Sequence, residues 1–474
     1  MSPSYFVMKS LFAPRALPLA GAAALCLLAQ AASAAPMDFA TALQHMDASS
    51  DRLAASYLAV NSAAQQRRAI ERLGGPSVSL TGAAYAYNAN LNLDLNPLGQ
   101  ALPGMLAQLP PQLGGMVAQL PHLPASYTLN RHRTDATASV NAVWPIYLGG
   151  ASEAARGLAD ARTREAQADS TRVNDELATL LVQRYFGAQL ANRAATLREA
   201  ALHSIEQHDA AAQKMMDAGV IAKVERLQAR SALEDARKSA QKARDDADLA
   251  GTALARAARV EERLEPTSPL FVISQAVEPL PYFIDAALAH HPGLAKVAAK
   301  KAQAGQLHAA EEALRRPQVF AFGQRELKSG NADWVAGIAV RWTLWDSIDR
   351  NALQASSQAK IDQAERTGAQ ARSDIALLVE KNWLALEQAR RQYFAQQAGV
   401  DLSAEVLRLR ESGLREGTST TLDLIDAQLN NAKVLTERAQ AAHDYVLALA
   451  ALLESSGLSD EFANYMARAD VKVD

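Results

Sequence analysis

The sequence predicts a mainly α-helical, internally duplicated chain that lends strands to a β-barrel. Three observations carry that reading. Trp144-Pro145-Ile146-Tyr147 returns as Trp342-Thr343-Leu344-Trp345, and the offset of 198 residues holds without a gap through Gly219 and Gly417, and Ala229 and Ala427, to Val260 and Leu458. That period exceeds the roughly 20 to 50 residues of a solenoid unit and marks a duplicated half-domain. Each half opens with segments in which apolar and polar residues alternate, as in half-buried strands. Each then runs into a helical tract free of proline; Ala151 to Asp217 would span roughly 100 Å if unbroken.

Residues 1–34 read as a secretory signal. Lys9 and Arg15 precede an apolar run from Ala16 to Ala29, and Ala32-Ser33-Ala34 is a small-residue cleavage pattern, with Met1 or Met8 as the start. The run is shorter than the roughly 20 residues of a membrane-spanning helix. The single cysteine, Cys26, lies inside this segment, so the exported chain is expected to hold no disulfide and no thiolate metal site. Leu25 stands where attachment of a lipid to Cys26 would need a small residue. Loss of Lys9 and Arg15 leaves 46 of the 48 basic residues against 51 acidic ones, a net charge of −5 that does not favour nucleic acid.

Residues 35–75 form the N-terminal region, with a helix from about Asp51 to Leu73 that stops at Gly74-Gly75-Pro76. Residues 76–147 form a first β-hairpin. In its first strand Val78, Leu80, Ala84 and Ala86 alternate with Ser77, Ser79, Thr81 and Tyr85. In its second, Ala136, Ala138, Val140, Ala142, Trp144 and Ile146 share a face opposite Asp135, Thr137, Ser139 and Asn141. Between them 88–127 is rich in Pro, Gly, Leu and Asn and shows no sustained period, a long loop. Residues 148–264 are a first long helical hairpin with its tip near 219. Residues 265–316 link the halves and include a helix that opens the second; His290-His291-Pro292 ends one helix and starts the next.

Residues 317–345 repeat the strand pair. Trp334, Ala336, Ile338, Val340, Trp342 and Leu344 make its apolar face, and Lys328 to Asn331 make its turn. The first hairpin carries about 43 extra residues, which closure entropy tolerates because it grows slowly with loop length. Residues 346–458 are the second long helical hairpin, with its tip near 417, and 459–474 a C-terminal tail. From Leu422 a heptad runs through Ile425, Leu429, Ala432, Thr436, Ala439, His443, Val446 and Ala450 to Leu453, a narrow Ala-rich seam with polar faces beside it. A helix so long and wet on two sides suits the wall of a water-filled tube or a rod.

Four amphipathic strands cannot close a membrane barrel, since the smallest have eight. As an open sheet they would expose two edges and an apolar face. Several chains must contribute, and three would give twelve strands. Trp144, Tyr147, Trp342 and Trp345, at the strand ends that lead into helices, would form an interfacial girdle.

Over the whole chain after the signal, this order of helix, strands and helical hairpin, written twice, resembles the bacterial outer-membrane efflux proteins of the TolC type. The most specific piece is Gly417-Thr418-Ser419-Thr420-Thr421-Leu422-Asp423-Leu424-Ile425-Asp426-Ala427-Gln428, which is similar to the family's second hairpin tip. Gly219-Val220-Ile221-Ala222-Lys223-Val224-Glu225 is similar to the first. The resemblance implies a homotrimer: a twelve-stranded β-barrel in outer-membrane lipid, continuous with a twelve-helix α-barrel through the periplasm. It implies docking of a periplasmic adaptor and an inner-membrane ABC transporter or proton-driven pump at the lower end, around Gly219, Gly417 and Thr418. It also implies that Asp423 and Asp426, grouped here with Glu225, face the channel entrance. Two such carboxylates from each of three chains would raise each other's pKa and attract cations. Without the resemblance, the residues alone favour ordinary solvated acids at a helix start; the resemblance turns the reading to the entrance. Leu414 and Ser419 stand where a Tyr and an Arg would form the family's polar latch, so this entrance is expected to be held shut differently or less firmly.

Catalysis has little support. The nine histidines are scattered, His203 with His208 and His290 with His291 lack a metal-binding spacing, and no phosphate-cradling loop or nucleophile elbow occurs. No catalytic residue, cofactor or metal is expected. The expectation is an exit duct, leaning to type I secretion of a protein such as a repeats-in-toxin toxin, because the lipid-anchor cysteine of many drug-efflux ducts is missing. A small-molecule duct for drugs or metals is the alternative. A periplasmic coiled-coil adaptor or rod explains the heptads but not the four strands.

Overall fold

The computed structural model of the chain describes residues 35–96, 126–327, 333–345 and 347–473. The expected signal with Cys26, the loop from 97 to 125 and the turn Lys328 to Asn331 lie outside the described residues. In order, the elements are β1 (Ala35–Met37), α1 (Phe39–Ser49), α2 (Asp51–Ala69), β2 (Ser77–Asp94), β3 (Ser126–Tyr147), α3 (Ala151–Asp217) and α4 (Lys223–Ala257). There follow β4 (Leu264–Pro266), β5 (Leu270–Val272), α5 (Leu280–His290), α6 (Pro292–Ala313), β6 (Gln318–Glu326) and β7 (Trp334–Arg341). The chain ends with α7 (Arg350–Ala395), α8 (Gln397–Glu416), α9 (Thr421–Ser455), α10 (Phe462–Ala467) and β8 (Val471–Val473).

The alternating segments pair into one antiparallel sheet in the order β2-β3-β6-β7. Its register sets Val78 beside Ala142, Leu80 beside Val140, Trp144 beside Ala321, Ala321 beside Ile338 and Val319 beside Val340. One face is therefore apolar, while Ser79, Thr81, Ser139, Asn141 and Gln324 fall on the other. Pro145 has no N–H to donate to the ladder, and the β3–β6 register shifts between Pro145 and Tyr147. This bulge brings Tyr147, opposite Val319, onto the face of Trp144. Trp334 stands at the far end of that face, about 27 Å along the strand from Trp342. That span matches the apolar band of roughly 25 Å in outer-membrane barrels.

Both hairpins depart from the alternation reading. β2 runs on to Asp94 and β3 begins at Ser126, so 88–94 of the expected loop is strand. The alternation persists there but changes face: Asn88, Asn90 and Asn92 occupy the side of Val78 and Leu80, and Leu91 and Leu93 the side of Ser79. β7 stops earlier than expected, at Arg341. Instead of extending the ladder, the Trp342 indole N–H donates to the Arg315 carbonyl at 3.1 Å.

α3 is one helix of 67 residues. Its counterpart is broken at Gln396, whose N–H reaches Tyr393 O at 3.3 Å before Val400 N–H resumes on Gln396 O at 3.0 Å. The short i→i−3 bond is the 3₁₀ geometry of a helix joint. Midway along the long helices, Phe39, Tyr185, Phe186, Phe271, Phe283 and Phe462 build the main core around α9. Tyr185 Oη accepts from the N–H groups of Thr267 (3.0 Å) and Ser268 (2.8 Å) and donates to Met37 O at 2.9 Å. β1 pairs with β4, and β5 with β8. The expected tail 459–474 is thus folded into this belt, as is the start of the 265–316 linker. In α9 the heptad positions Ile425, Ala432, Ala439, Val446, Ala450 and Leu453 are buried. Leu424 and Ala427 near the tip, and Ala442, Tyr445, Leu449 and Leu452 from Ala439 onward, are buried too, while the seam residue Leu429 is exposed, so the expected polar flanks hold only for the middle of the helix.

The accessible surface is 30827 Å², against about 17,000 Å² for a compact chain of this length. Among the described residues β2 and β7 remain unpaired sheet edges.

Candidate functional site

The two tips are built alike. α3 ends at Gly219 (φ +74°), and Val220 N–H donates to Met215 O at 2.8 Å. α8 ends at Gly417 (φ +78°), and Thr418 N–H donates to Gly413 O at 2.8 Å. These bonds, 198 residues apart, are the 6→1 bond of a Schellman cap, whose left-handed residue favours glycine. Beyond Gly219 the first tip exposes Val220, Val224 and Leu227, an apolar patch that the sequence reading passed over. Glu225 sits half-buried in the first turn of α4.

At the second tip, Asp423 N–H donates to Thr420 Oγ1 at 3.1 Å. Thr420 N–H and Oγ1–H donate back to Asp423 Oδ2 at 3.0 and 2.9 Å. This is a reciprocal capping box. The backbone and hydroxyl of Thr420, with Arg410 3.8 Å away, hold the Asp423 carboxyl below the ordinary carboxylate range. Within one chain Asp423 is thus engaged by its own helix start, whereas Asp426 is exposed one turn on. The N–H groups of Thr418 and Ser419 both donate to Gly413 O, and a Cβ on Gly413 would lie 2.4 Å from Ser419 Oγ. Ser419 folds down on Gly413, and Leu414 beside it is half-buried. Gly413 escaped the sequence reading because its need appears only when the tip folds back over it.

A second missed feature lies behind the first tip. Arg226 Nη1 and Nη2 donate to Asp209 Oδ1 and Oδ2 at 2.6 and 3.2 Å, and Arg226 Nε donates to Gln213 Oε1 at 2.8 Å. The side chains are 13% and 9% exposed, so this fork is a buried clamp between α3 and α4. At the 198-residue offset the second hairpin has Leu407 and Leu424 instead. Next to the clamp, Ile205, Ala212, Ala229, Leu233 and Ala236 form a small core that takes in Ile425 of α9. In α8, by contrast, Ser403 and Gly413 are the buried residues.

At the other end of the long helices, Trp144, Tyr147, Trp342 and Trp345 are all exposed where the sheet meets the helices. His291 is the N-cap of α6, its Nδ1 accepting from Gly293 N–H at 3.0 Å, with Pro292 in the first turn, as the sequence suggested. His203 and His208 bond to Gln207 and Ser204 on their own helix. Among the described residues no group of three His, Cys, Asp or Glu is placed to hold a metal, and no helix is long and apolar enough to cross a membrane.

A model of the outer membrane efflux protein family matches residues 42–258 and 283–458. The outer membrane efflux protein BepC of Brucella suis biovar 1 is 26% identical over 402 residues, 80% of this chain and 86% of that protein. Among solved structures, the outer-membrane channel OprN superposes with a TM-score of 0.70 at 17% identity, over 88% of this chain and 89% of that one. The Campylobacter jejuni CmeC outer membrane channel gives a TM-score of 0.70 at 13% identity, over 91% and 90%.

Proposed function

The chain belongs to the outer membrane efflux protein family, and from that premise we propose that three copies form the exit duct of a tripartite export machine. The family and the fold are those of channels in the outer membrane with a helical tunnel in the periplasm. The observation that carries the trimer is the unfinished surface of one chain. Two sheet edges are unpaired and the accessible area is nearly twice that of a compact chain. Three sheets joined edge to edge give a closed barrel of twelve strands.

In this reading the lower end is formed by the two tips. A periplasmic adaptor docks around Gly219, Gly417 and Thr418, with Val220, Val224 and Leu227 as its apolar footing, and the inner-membrane pump supplies the energy. The exposed Asp426 lines the entrance, while Asp423 keeps the start of α9 in place behind it. Cargo is a polypeptide threaded through the duct by an inner-membrane ABC transporter, as in type I secretion of a repeats-in-toxin protein. The expected cleavage after Ala34 supports this: it removes Cys26, and Ala35 leads at once into β1. Small-molecule efflux is the second reading, favoured by the efflux function named for BepC.

Proteins in culture supernatant, compared between cells with and without this chain, decide between the two. Loss of one large polypeptide, restored by the intact gene, is expected. An unchanged supernatant with raised drug or metal sensitivity would establish the second reading instead.

A further inference from the structure

The β2–β3 ribbon outruns the sheet that holds it. β6 pairs with β3 only over Ser139 to Tyr147, yet β2 and β3 stay paired from Ser77↔Val143 to Asp94↔Ser126. From Gly82 to Asp94 the two strands stand alone, a reach of about 40 Å. At the base the face shared with Val78 and Leu80 is the lipid face. Past Ala86 that face carries Asn88, Asn90 and Asn92, opposite His132, Asn130 and Thr128. The face continuous with the barrel lumen carries Tyr85 and Tyr87, stacked with centroids 6.4 Å apart, opposite Asp135 and Arg133, then Ala89 opposite Arg131; beyond these charges it turns apolar, where Leu91 pairs with Leu129 and Leu93 follows. Tyr87, Leu91, Leu93 and Leu129 are all exposed in the single chain.

An isolated two-stranded ribbon with a bare leucine face is at best marginally stable in water. Its Asn face is suited to water and its Leu face is not. The Leu face begins on the lumen side, and the strong right-handed twist of a two-stranded ribbon swings it toward the next ribbon around the rim. A barrel of twelve strands about 4.8 Å apart and tilted about 45° has a radius of about 13 Å, well within the ribbon's reach. We propose that in the trimer the three β2–β3 ribbons lean together over the outer mouth and cover one another's Leu91, Leu93 and Leu129 faces. The result is an apolar collar that cargo must part to leave. Such a constriction resists the passage of water and ions, and Arg131 and Arg133 lie on the same face just below it. The occupant of each apolar face is a second copy of this chain, and the proposal rests on the trimeric-barrel reading above.

The test is site-directed cross-linking in outer membranes, on a chain whose one native cysteine lies in the expected signal. Leu91→Cys and Leu129→Cys, each treated with a short bismaleimide, are expected to give cross-linked dimers on denaturing gels. Asn90→Cys, on the opposite face, is expected to stay monomeric. Unboiled samples report the heat-modifiable trimer in the same gel. A trimer in which neither leucine position links, or in which Asn90→Cys links equally, overturns the collar and leaves the duct standing. Links from Leu91→Cys to a different protein overturn it in favour of a foreign partner. Absence of any trimer overturns the duct reading and the collar with it.

Discussion

The two helical hairpins descend from one unit and keep the same turn, yet they are held together by different means. The first closes on itself through the buried Asp209–Arg226 fork and the small core around Ile205 and Leu233. The second has Leu407 and Leu424 at the equivalent places. Its returning helix α9 lends Ile425 to the core of the first hairpin, leaving α8 with little buried surface of its own. Duplication thus produced one hairpin that is complete within the chain and one whose outer arm buries little within it. At a tunnel entrance the first is suited to be the fixed wall and α8 the part that moves.

The comparison breaks most visibly at the clamp. Asp209→Ala strands the buried Arg226 guanidinium and should loosen the first tip by about 3 to 5 kcal/mol, read as faster hydrogen exchange over 205–233; Arg226→Ala should loosen it less, because Arg230 lies 3.9 Å from Asp209. The double replacement Asp209→Leu with Arg226→Leu, which copies the second hairpin, should cost less than either single change. If it costs as much as their sum, the pair is not coupled. Next in size is Gly413→Ala: its new Cβ meets Ser419 Oγ, and about 1 to 3 kcal/mol of overpacking is expected. Protease cutting near 417 should rise while cutting near 219 stays the same.

A smaller effect separates the two aspartates. Asp423→Ala removes the N3 half of the capping box and should fray the start of α9. Asp426→Ala should leave exchange there unchanged but lower the cation selectivity of the pore in planar bilayers.

The smallest effects are in pH. The Asp423 carboxyl titrates below its ordinary value of 3.8, so its contribution is present at neutral pH and lost as pH falls through that lowered value. In the central belt Asp175 is pushed up to about 6 by burial and by the nearby charges of Asp460, Glu454 and Glu176. There the sign reverses. Stability is highest below the ordinary carboxylate range and falls as pH rises toward about 6. Melting curves at pH 5 and pH 7.5 should show a belt that is firmer in acid, and Asp175→Asn should remove the difference.

Much of this was legible in the sequence because repetition and period are physical signals. The offset of 198 residues placed both glycine turns, and the alternation in β3 and β7 placed the apolar face. The ribbon past Tyr87 was lost because its alternation changes phase, as a strand does when it leaves lipid for water. The strands of the central belt were lost because three residues are too few to show a period. The Asp209–Arg226 clamp was hidden for another reason. Charged residues on a helix usually face solvent, and only the packing of α3 against α4 makes this pair a buried one. Asp423 was read in two ways, and its capping box shows the helix-start contacts within one chain; Asp426 is exposed one turn on.

The most direct test is hydrogen exchange on the purified, assembled protein, followed by mass spectrometry at peptide resolution across both tips. Exchange over 400–418 several-fold faster than over 202–220 is the predicted result, since one tip is clamped within the chain and the other is not. Equal protection of the two tips, or a faster first tip, would contradict the division into a fixed and a moving hairpin.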